Sequence, residues 1–256
     1  MSIITLTTDL GTTDHYVASV KGAILSICPE ATIVDITHEI DPFDMVKAAF
    51  VLKNAWNDFP EGTQHIVSVN TLETKDSRFI YISEKGQGFI GADNGLFSLV
   101  FEEHPKKIFE IDIELLPDKF PVRDIMVPVV CRIDKGEKPA SFMKPVKNMQ
   151  ERMSLQPVVH ESSIRGTVIY VDAYENVLVN ITRQLFEQYH NGRGYTLYFR
   201  RNDYIQKVHD NYYDVPPGDP ICFFNAGGYM EIAINKGKAS SLLGLKLGDA
   251  IQIDFE

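Results

Sequence analysis

The chain opens on Ile3-Ile4-Thr5-Leu6-Thr7-Thr8-Asp9-Leu10-Gly11-Thr12-Thr13-Asp14, and the fold follows from how this stretch is read. Ile3 to Thr7 is short and rich in β-branched residues, which favour a pleated strand. Asp9-Leu10-Gly11 then breaks the run into a loop. Tyr16 to Ile27 follows with Val17, Val20, Ile24 and Ile27 at helical spacing, and Pro29 stops it. Thr32 to Ile36 reads as a buried strand and Val46 to Trp56 as a helix. His65 to Val69, Arg78 to Ile82 and Gly88 to Ile90 read as further strands, and Asp93-Asn94-Gly95 as a tight turn. Strands alternating with helices predict an α/β domain over residues 1–150, with a largely parallel or mixed sheet covered by helices.

The texture changes near residue 135. Asp134 to Glu151 is rich in Lys and Pro without a clean period and reads as a connection. Beyond it come short strand-like segments: Thr167 to Val171, Tyr195 to Phe199, Pro220 to Phe224, Tyr229 to Ile234 and Ala250 to Phe255. One helix, Arg183 to Tyr189, interrupts them. This pattern predicts a smaller β-barrel or sandwich over residues 163–256.

Composition narrows the function classes. Among 256 residues, 25 Lys and Arg stand against 35 Asp and Glu, a net charge of −10. Such a surface repels a phosphate backbone, so nucleic acid is not an expected partner. Cys28, Cys131 and Cys222 are scattered and form no C-x-x-C pair, which argues against a disulfide framework or a thiolate metal site. The N-terminus has no basic region followed by an apolar core, and no apolar run reaches membrane-spanning length. The expectation is a cytoplasmic protein without a membrane partner.

Several polar residues sit where chemistry is commonly placed. Asp9 follows the first strand, and open α/β sheets bind ligands outside the carboxyl ends of their strands. A carboxylate there could accept from both hydroxyls of a ribose, or simply bind turn amides. Asp14 precedes the first helix and is either its N-cap or a carboxylate facing an amine. Asp172-Ala173-Tyr174-Glu175-Asn176 joins two strands. The Asn176 amide could match the donor–acceptor edge of adenine, or serve the turn. Asn225-Ala226-Gly227-Gly228 would let backbone approach a ligand, or make a hairpin. His15 and His38 lie near Asp9 and Asp14, but no H-x-x-x-H or H-E-x-x-H spacing accompanies them, so no metal site is expected. There is neither G-x-G-x-x-G nor a Walker-type phosphate loop.

Taken in order, these segments resemble the S-adenosylmethionine hydroxide adenosyltransferase family, which is related to fluorinase and chlorinase. The resemblance runs through Thr8 to Asp14, Val20 to Leu25, Val34 to Ile40 with Pro42-Phe43-Asp44, Phe59 to Thr63, Ala92 to Leu96 and Arg123-Asp124. It continues through Asp172 to Asn176, Phe224 to Ala233 and Gly248-Asp249. It implies an N-terminal α/β domain, a C-terminal β-barrel, and a homotrimer with sites between neighbouring subunits. It also implies roles: Asp9 on the ribose, Asp14 and Asp172 on the methionine amine, Asn176 on adenine and Phe43 lining the pocket. Asn225 and the backbone of Ala226 and Gly227 would hold the carboxylate end.

The departures from the family pattern are specific. Hydrolytic members carry Asp-Pro-Gly-Val-Gly where this chain has Asn70-Thr71-Leu72-Glu73-Thr74, so their catalytic Asp falls on Asn70. Their His falls on Pro121 and their Arg near Ser77 or Arg78. Halogenating members have Ser where this chain has Val122. Glu73 is the nearest replacement carboxylate, and Glu73 with Arg78 are the expected catalytic pair. The implied reaction is cleavage of S-adenosylmethionine to adenosine and methionine by displacement at C5′, with S-adenosylmethionine as substrate and no cofactor. The alternative is a nucleoside-binding homologue that no longer turns over.

Overall fold

The computed structural model of the chain describes residues 2–72, 77–112, 119–199 and 203–256. The chain forms two compact units, Met1–Met153 and Ser154–Glu256. Residues 154–162, left between the two expected domains, belong to the second.

The first unit holds β1 (Ile3–Thr8), α1 (Tyr16–Ile27), β2 (Thr32–Thr37), α2 (Met45–Ala55) and β3 (Gln64–Ser68). It continues with β4 (Phe79–Glu84), β5 (Gln87–Ala92), α3 (Leu96–Val100), β6 (Ile108–Ile111), α4 (Val127–Asp134) and β7 (Lys144–Val146). Its seven-stranded sheet runs β2-β1-β3-β5-β4-β6-β7. The first four strands of that order are mutually parallel, and the other three pair antiparallel. Strand period places apolar side chains on both faces. Ile4, Leu6, Ile66, Phe79 and Tyr81 pack on one core together with Val20 and Ile24 of α1 and Val130 of α4. Val67, Ile80, Ile82 and Phe89 pack on the other with Ala48 and Leu52 of α2 and Phe97 of α3. The four parallel strands end on one edge of the sheet, and this edge carries Asp9, His38, Asn70 and Asp93.

Three expectations need correction. Thr32–Thr37 is a half-exposed edge strand, because β1 covers only one of its sides. A helix over residues 122–134 went unforeseen because Pro128 interrupts its pattern. That proline stands in the first turn of α4, just beyond a wide π-type turn at Val122–Met126, so the missing N–H is accommodated there. The expected connection beyond Asp134 contains β7, a three-residue edge strand carrying Pro145.

The second unit holds β8 (Val158–His160), β9 (Ser163–Val171), β10 (Val177–Thr182), α5 (Arg183–His190) and β11 (Tyr195–Tyr198). Then come β12 (Tyr204–Ile205), β13 (Pro220–Phe224), β14 (Tyr229–Ile234), α6 (Ala239–Leu243) and β15 (Ala250–Phe255). Its antiparallel sheet runs β12-β11-β15-β9-β10-β14-β13, with β8 added beside β9. A bridge from Val208 to Cys222, and the His209 N–H to Cys222 O bond of 2.8 Å, bring the segment after β12 back to β13. The sheet therefore nearly closes as a barrel. Its interior is filled by alternating residues such as Ile164, Val177, Val179, Ile251 and Ile253. Thr182 caps α5 by accepting from Leu185 N–H.

Candidate functional site

In the first unit the candidate residues gather at the carboxyl edge of the parallel strands. Asp9 follows β1 and is partly buried. Its Oδ2 accepts the backbone N–H of Phe43 at 3.1 Å and of Asn70 at 3.2 Å. Both donors have left-handed backbone, with φ of 70° at Phe43 and 47° at Asn70. An L-residue with a side chain adopts this region at a cost, and bulky Phe more so than Asn. One carboxylate oxygen thus holds two strained residues from two different loops, both expected site residues. The Phe43 side chain is 71% exposed.

The surrounding loops are tied down in the same manner. His38 Nδ1 meets Thr8 Oγ1 at 2.8 Å, and Gly11 N–H donates to His38 O at 2.9 Å. His38 Nε2 lies 3.1 Å from Asp35 Oδ1 but out of line for a hydrogen bond. Burial opposes the Asp35 charge. Lys21, 2.6 Å away, and His38 outweigh it and hold the carboxyl below its usual range. The Asn94 amide donates to Val69 O and Asn70 O, both at 3.0 Å, which braces the turn carrying Asn70. Gly95 follows with φ of 90°, and a Cβ there would stand 2.5 Å from Arg152 Cγ.

Asp14 is exposed and does not cap α1. The capping position is His15, whose side chain makes no capping bond. His15 instead packs on Tyr16 at 4.4 Å between ring centres, and Tyr16 packs on Phe120 at 5.6 Å. Among the described residues there is no group of three or more His, Cys, Asp or Glu able to hold a metal ion.

The expected catalytic pair fares unevenly. Glu73 lies outside the described residues. Arg78 is engaged within the fold: its Nε donates to Asp93 Oδ2 at 2.6 Å, Nη1 to Glu110 Oε2 at 2.9 Å and Nη2 to Asn148 O at 2.9 Å. Asp93 is buried and also accepts Gln150 N–H at 2.7 Å. The Asn70 side chain reaches Met45 Sδ at 3.7 Å. Pro121 stands at the start of the π-type turn.

The second unit gathers its own group along β10, β13 and β14. Asp172 Oδ1 accepts Tyr174 N–H at 2.9 Å and Asn176 N–H at 2.8 Å, and Oδ2 accepts Asn176 Nδ2 at 3.1 Å. Asn176 Nδ2 also donates to Tyr212 Oη at 3.1 Å, and that hydroxyl donates to Glu231 Oε1 at 2.9 Å. Glu231 Oε2 accepts Asn225 Nδ2 at 3.2 Å. Asn225 Oδ1 accepts Tyr229 N–H at 3.1 Å and closes the hairpin, whose tip exposes Ala226 and Gly227. Burial raises the Glu231 carboxyl above its usual range, against its hydrogen bonds from Tyr212 and Asn225. Burial and Glu231 together raise the Tyr212 phenol.

A cleft of about 810 Å³ opens in this unit, lined by Tyr174, Asn176, Tyr212, Ile234, Lys236 and Leu242 among others. The turn that supplies Tyr174 and Asn176 to it is pinned by Glu175, which pairs with Lys238 at 2.7 Å and accepts from Ser241 N–H and Oγ. Tyr212 and Glu231 were missed in the sequence. Tyr212 opens a single 3-10 turn, Tyr212–Asp214, too short to have a period that marks it. Glu231 alternates with the core residues Met230, Ile232 and Ile234 and so reads in sequence as an ordinary charge on the outer face of its strand.

Comparison with known proteins follows the same division. The chain matches the SAM hydroxide adenosyltransferase N-terminal domain over residues 4–143 and the C-terminal domain over residues 166–252. The chain belongs to this family. It is 30% identical to the (R)-S-adenosyl-L-methionine hydrolase of Methanocaldococcus jannaschii, in an alignment covering 100% of this chain and 97% of that one. It is 24% identical to a fluorinase of Actinopolyspora mzabensis, covering 98% and 96%. Among solved structures, an uncharacterized conserved protein from Thermotoga maritima superposes with a TM-score of 0.87 at 30% identity, covering 99% of this chain and 100% of that one. As a member of the adenosyltransferase family, the chain carries the N-terminal and C-terminal domains of that family in order.

Proposed function

We propose that this chain binds S-adenosylmethionine and hydrolyses it to adenosine and methionine. The observation that carries the reading is full-length similarity to the M. jannaschii hydrolase, together with Asp9 at the carboxyl edge of the sheet, anchoring Phe43 and Asn70. In the reaction a water oxygen attacks C5′ and the C5′–S bond breaks. The bonding pair returns to sulfur, giving neutral methionine, and the water proton leaves to solvent or a base. Because the leaving group is already neutral, the step needs no cofactor. The protein aligns water with the C–S bond and excludes competing solvent.

In this reading Asp9 accepts from the ribose hydroxyls, and Asp14 and Asp172 face the methionine amine. Phe43 walls the pocket and Asn176 meets adenine. Asn225, with the exposed Ala226 and Gly227 amides of its hairpin, receives the carboxylate. Water activation falls to Glu73 with Arg78. The reading also takes the protein as a cytoplasmic homotrimer with sites between neighbouring subunits, which light scattering checks: a monomer at micromolar concentration contradicts it. Among the described residues no helix is long and apolar enough to cross a membrane.

A second reading, a nucleoside-binding homologue without turnover, is favoured by two features. Arg78 is held by Asp93 and Glu110, and Asn70 and Pro121 can supply neither base nor acid. Incubation with each sulfonium epimer of S-adenosylmethionine, followed by chromatography, separates the readings. Adenosine and methionine in equal amounts from the (R) epimer support hydrolysis. Tight binding without products supports the second reading.

A further inference from the structure

We propose that Glu231 and Tyr212 are positioning residues that lock the Asn176 amide with its oxygen toward the ligand, so that the cleft selects a 6-amino purine over a 6-oxo purine. The inference rests on the nucleoside-binding reading above and adds to it the pair of residues that sets base selectivity.

Asn176 is buried and has two amide hydrogens. Its Nδ2 bonds Asp172 Oδ2 at 3.1 Å and Tyr212 Oη at 3.1 Å, so both hydrogens are engaged inside the protein. The carboxylate Oδ2 of Asp172 can only accept, which fixes the nitrogen of the amide on that side. Tyr212 alone would leave the orientation less defined, because a hydroxyl can donate or accept. Glu231 removes the choice. Its buried carboxylate takes the phenolic hydrogen at 2.9 Å, so the Tyr212 oxygen must accept from Asn176. The second Glu231 oxygen is held by Asn225 Nδ2, whose own orientation is set by Tyr229 N–H on Asn225 Oδ1. The chain of bonds therefore has one direction from the hairpin to Asn176.

Among the described residues nothing donates to Asn176 Oδ1, while Asn176 lines the cleft with Tyr212 and Tyr174. The atom remaining for a ligand is an acceptor. A 6-amino purine offers it a hydrogen, whereas a 6-keto oxygen would meet a second acceptor without water between them. This revises the expected two-point contact with adenine, since the donor half of the amide is already occupied. The directional network also gives a reason for a buried carboxylate on the face of β14 opposite the barrel core.

The test is calorimetry of adenosine and inosine on the full chain, for wild type, Glu231→Gln and Tyr212→Phe, with a thermal melt of each. Wild type should prefer adenosine by about tenfold or more, the scale of one hydrogen bond exchanged for a clash of acceptors. Each variant should narrow that ratio by severalfold, because the amide is no longer held from the Tyr212 side. A merely structural role would weaken both nucleosides equally and keep the ratio, which overturns the proposal. Equal affinities in wild type overturn it too, while leaving nucleoside binding intact. Binding of neither nucleoside by wild type overturns the underlying reading as well. Tyr212→Phe removes a single hydroxyl, so it carries the test if Glu231→Gln does not fold.

Discussion

The two groups of candidate ligand residues use their polar atoms in opposite ways. In the first unit the Asp9 carboxylate holds backbone: one oxygen takes the N–H groups of Phe43 and Asn70, leaving the Phe43 ring exposed and the Asn70 amide against Met45 Sδ. In the second unit the side chains hold one another, from Asp172 through Asn176, Tyr212 and Glu231 to Asn225. The first arrangement stores strain in two left-handed residues. The second stores orientation, in a network anchored on buried Asn176 and Glu231 whose members depend on one another. Residue type told equally little about both, because an Asp that anchors loops and an Asp that closes a turn look alike in sequence.

The largest effect should come from supplying the groups the first unit lacks. Asn70→Asp combined with Pro121→His should raise adenosine formation by about 10²–10⁴, the usual worth of acid–base assistance. If Glu73→Gln instead abolishes wild-type turnover, Glu73 already serves as base. Turnover unchanged in both would mean that neither position handles the proton.

Acid should separate the two units. His65 is fully buried in β3, with Nδ1 on Thr5 Oγ1 at 2.7 Å and Nε2 on Gln87 Oε1 at 2.6 Å. Burial lowers its pKa to about 4, from 6.5 when unfolded. Between those values the unfolded chain binds more protons, so this contribution is complete above pH 6.5 and is lost as pH falls toward 4. The loss should approach roughly 3 kcal/mol. Hydrogen exchange should therefore show the sheet of the first unit loosening before the barrel, and His65→Gln should flatten the dependence. Simultaneous loosening of both units would contradict this assignment.

Asp9→Ala comes next, with adenosine affinity falling tenfold to a hundredfold as a charged hydrogen-bonding group is removed, equivalent to about 1.5–3 kcal/mol. Unchanged affinity by calorimetry would remove Asp9 from the ligand. Smallest is Asn70→Gly, which relieves the left-handed backbone and should alter unfolding stability by no more than about 1 kcal/mol. A large loss in urea unfolding would show that the Asn70 side chain, through Met45, matters more than its backbone.

Much of the architecture was legible because it follows periodicity. α1, β13, β14 and β15 have the bounds that the sequence predicts, since each is a regular element rich in apolar residues that the fold buries. The helix at 122–134 was hidden by Pro128, whose cost depends on its place within the turn. Candidate positions were legible as motifs at strand ends, but not their hydrogen-bond valences. Asn225 closes the hairpin that its glycines allowed; Arg78 is held by two carboxylates that its motif did not announce; Asp14, offered as a cap, is exposed and caps nothing. The Arg78 carboxylate partners lie 15 and 32 residues away, which local pattern does not encode.

The central claim is displacement by water at C5′, and isotope labelling tests it most directly. Wild-type protein should be incubated with S-adenosylmethionine in ¹⁸O-water and the products read by mass spectrometry. The account predicts adenosine carrying one ¹⁸O at its 5′ oxygen, with unlabelled methionine in equal amount. Absence of adenosine, or adenosine without the label, would contradict it.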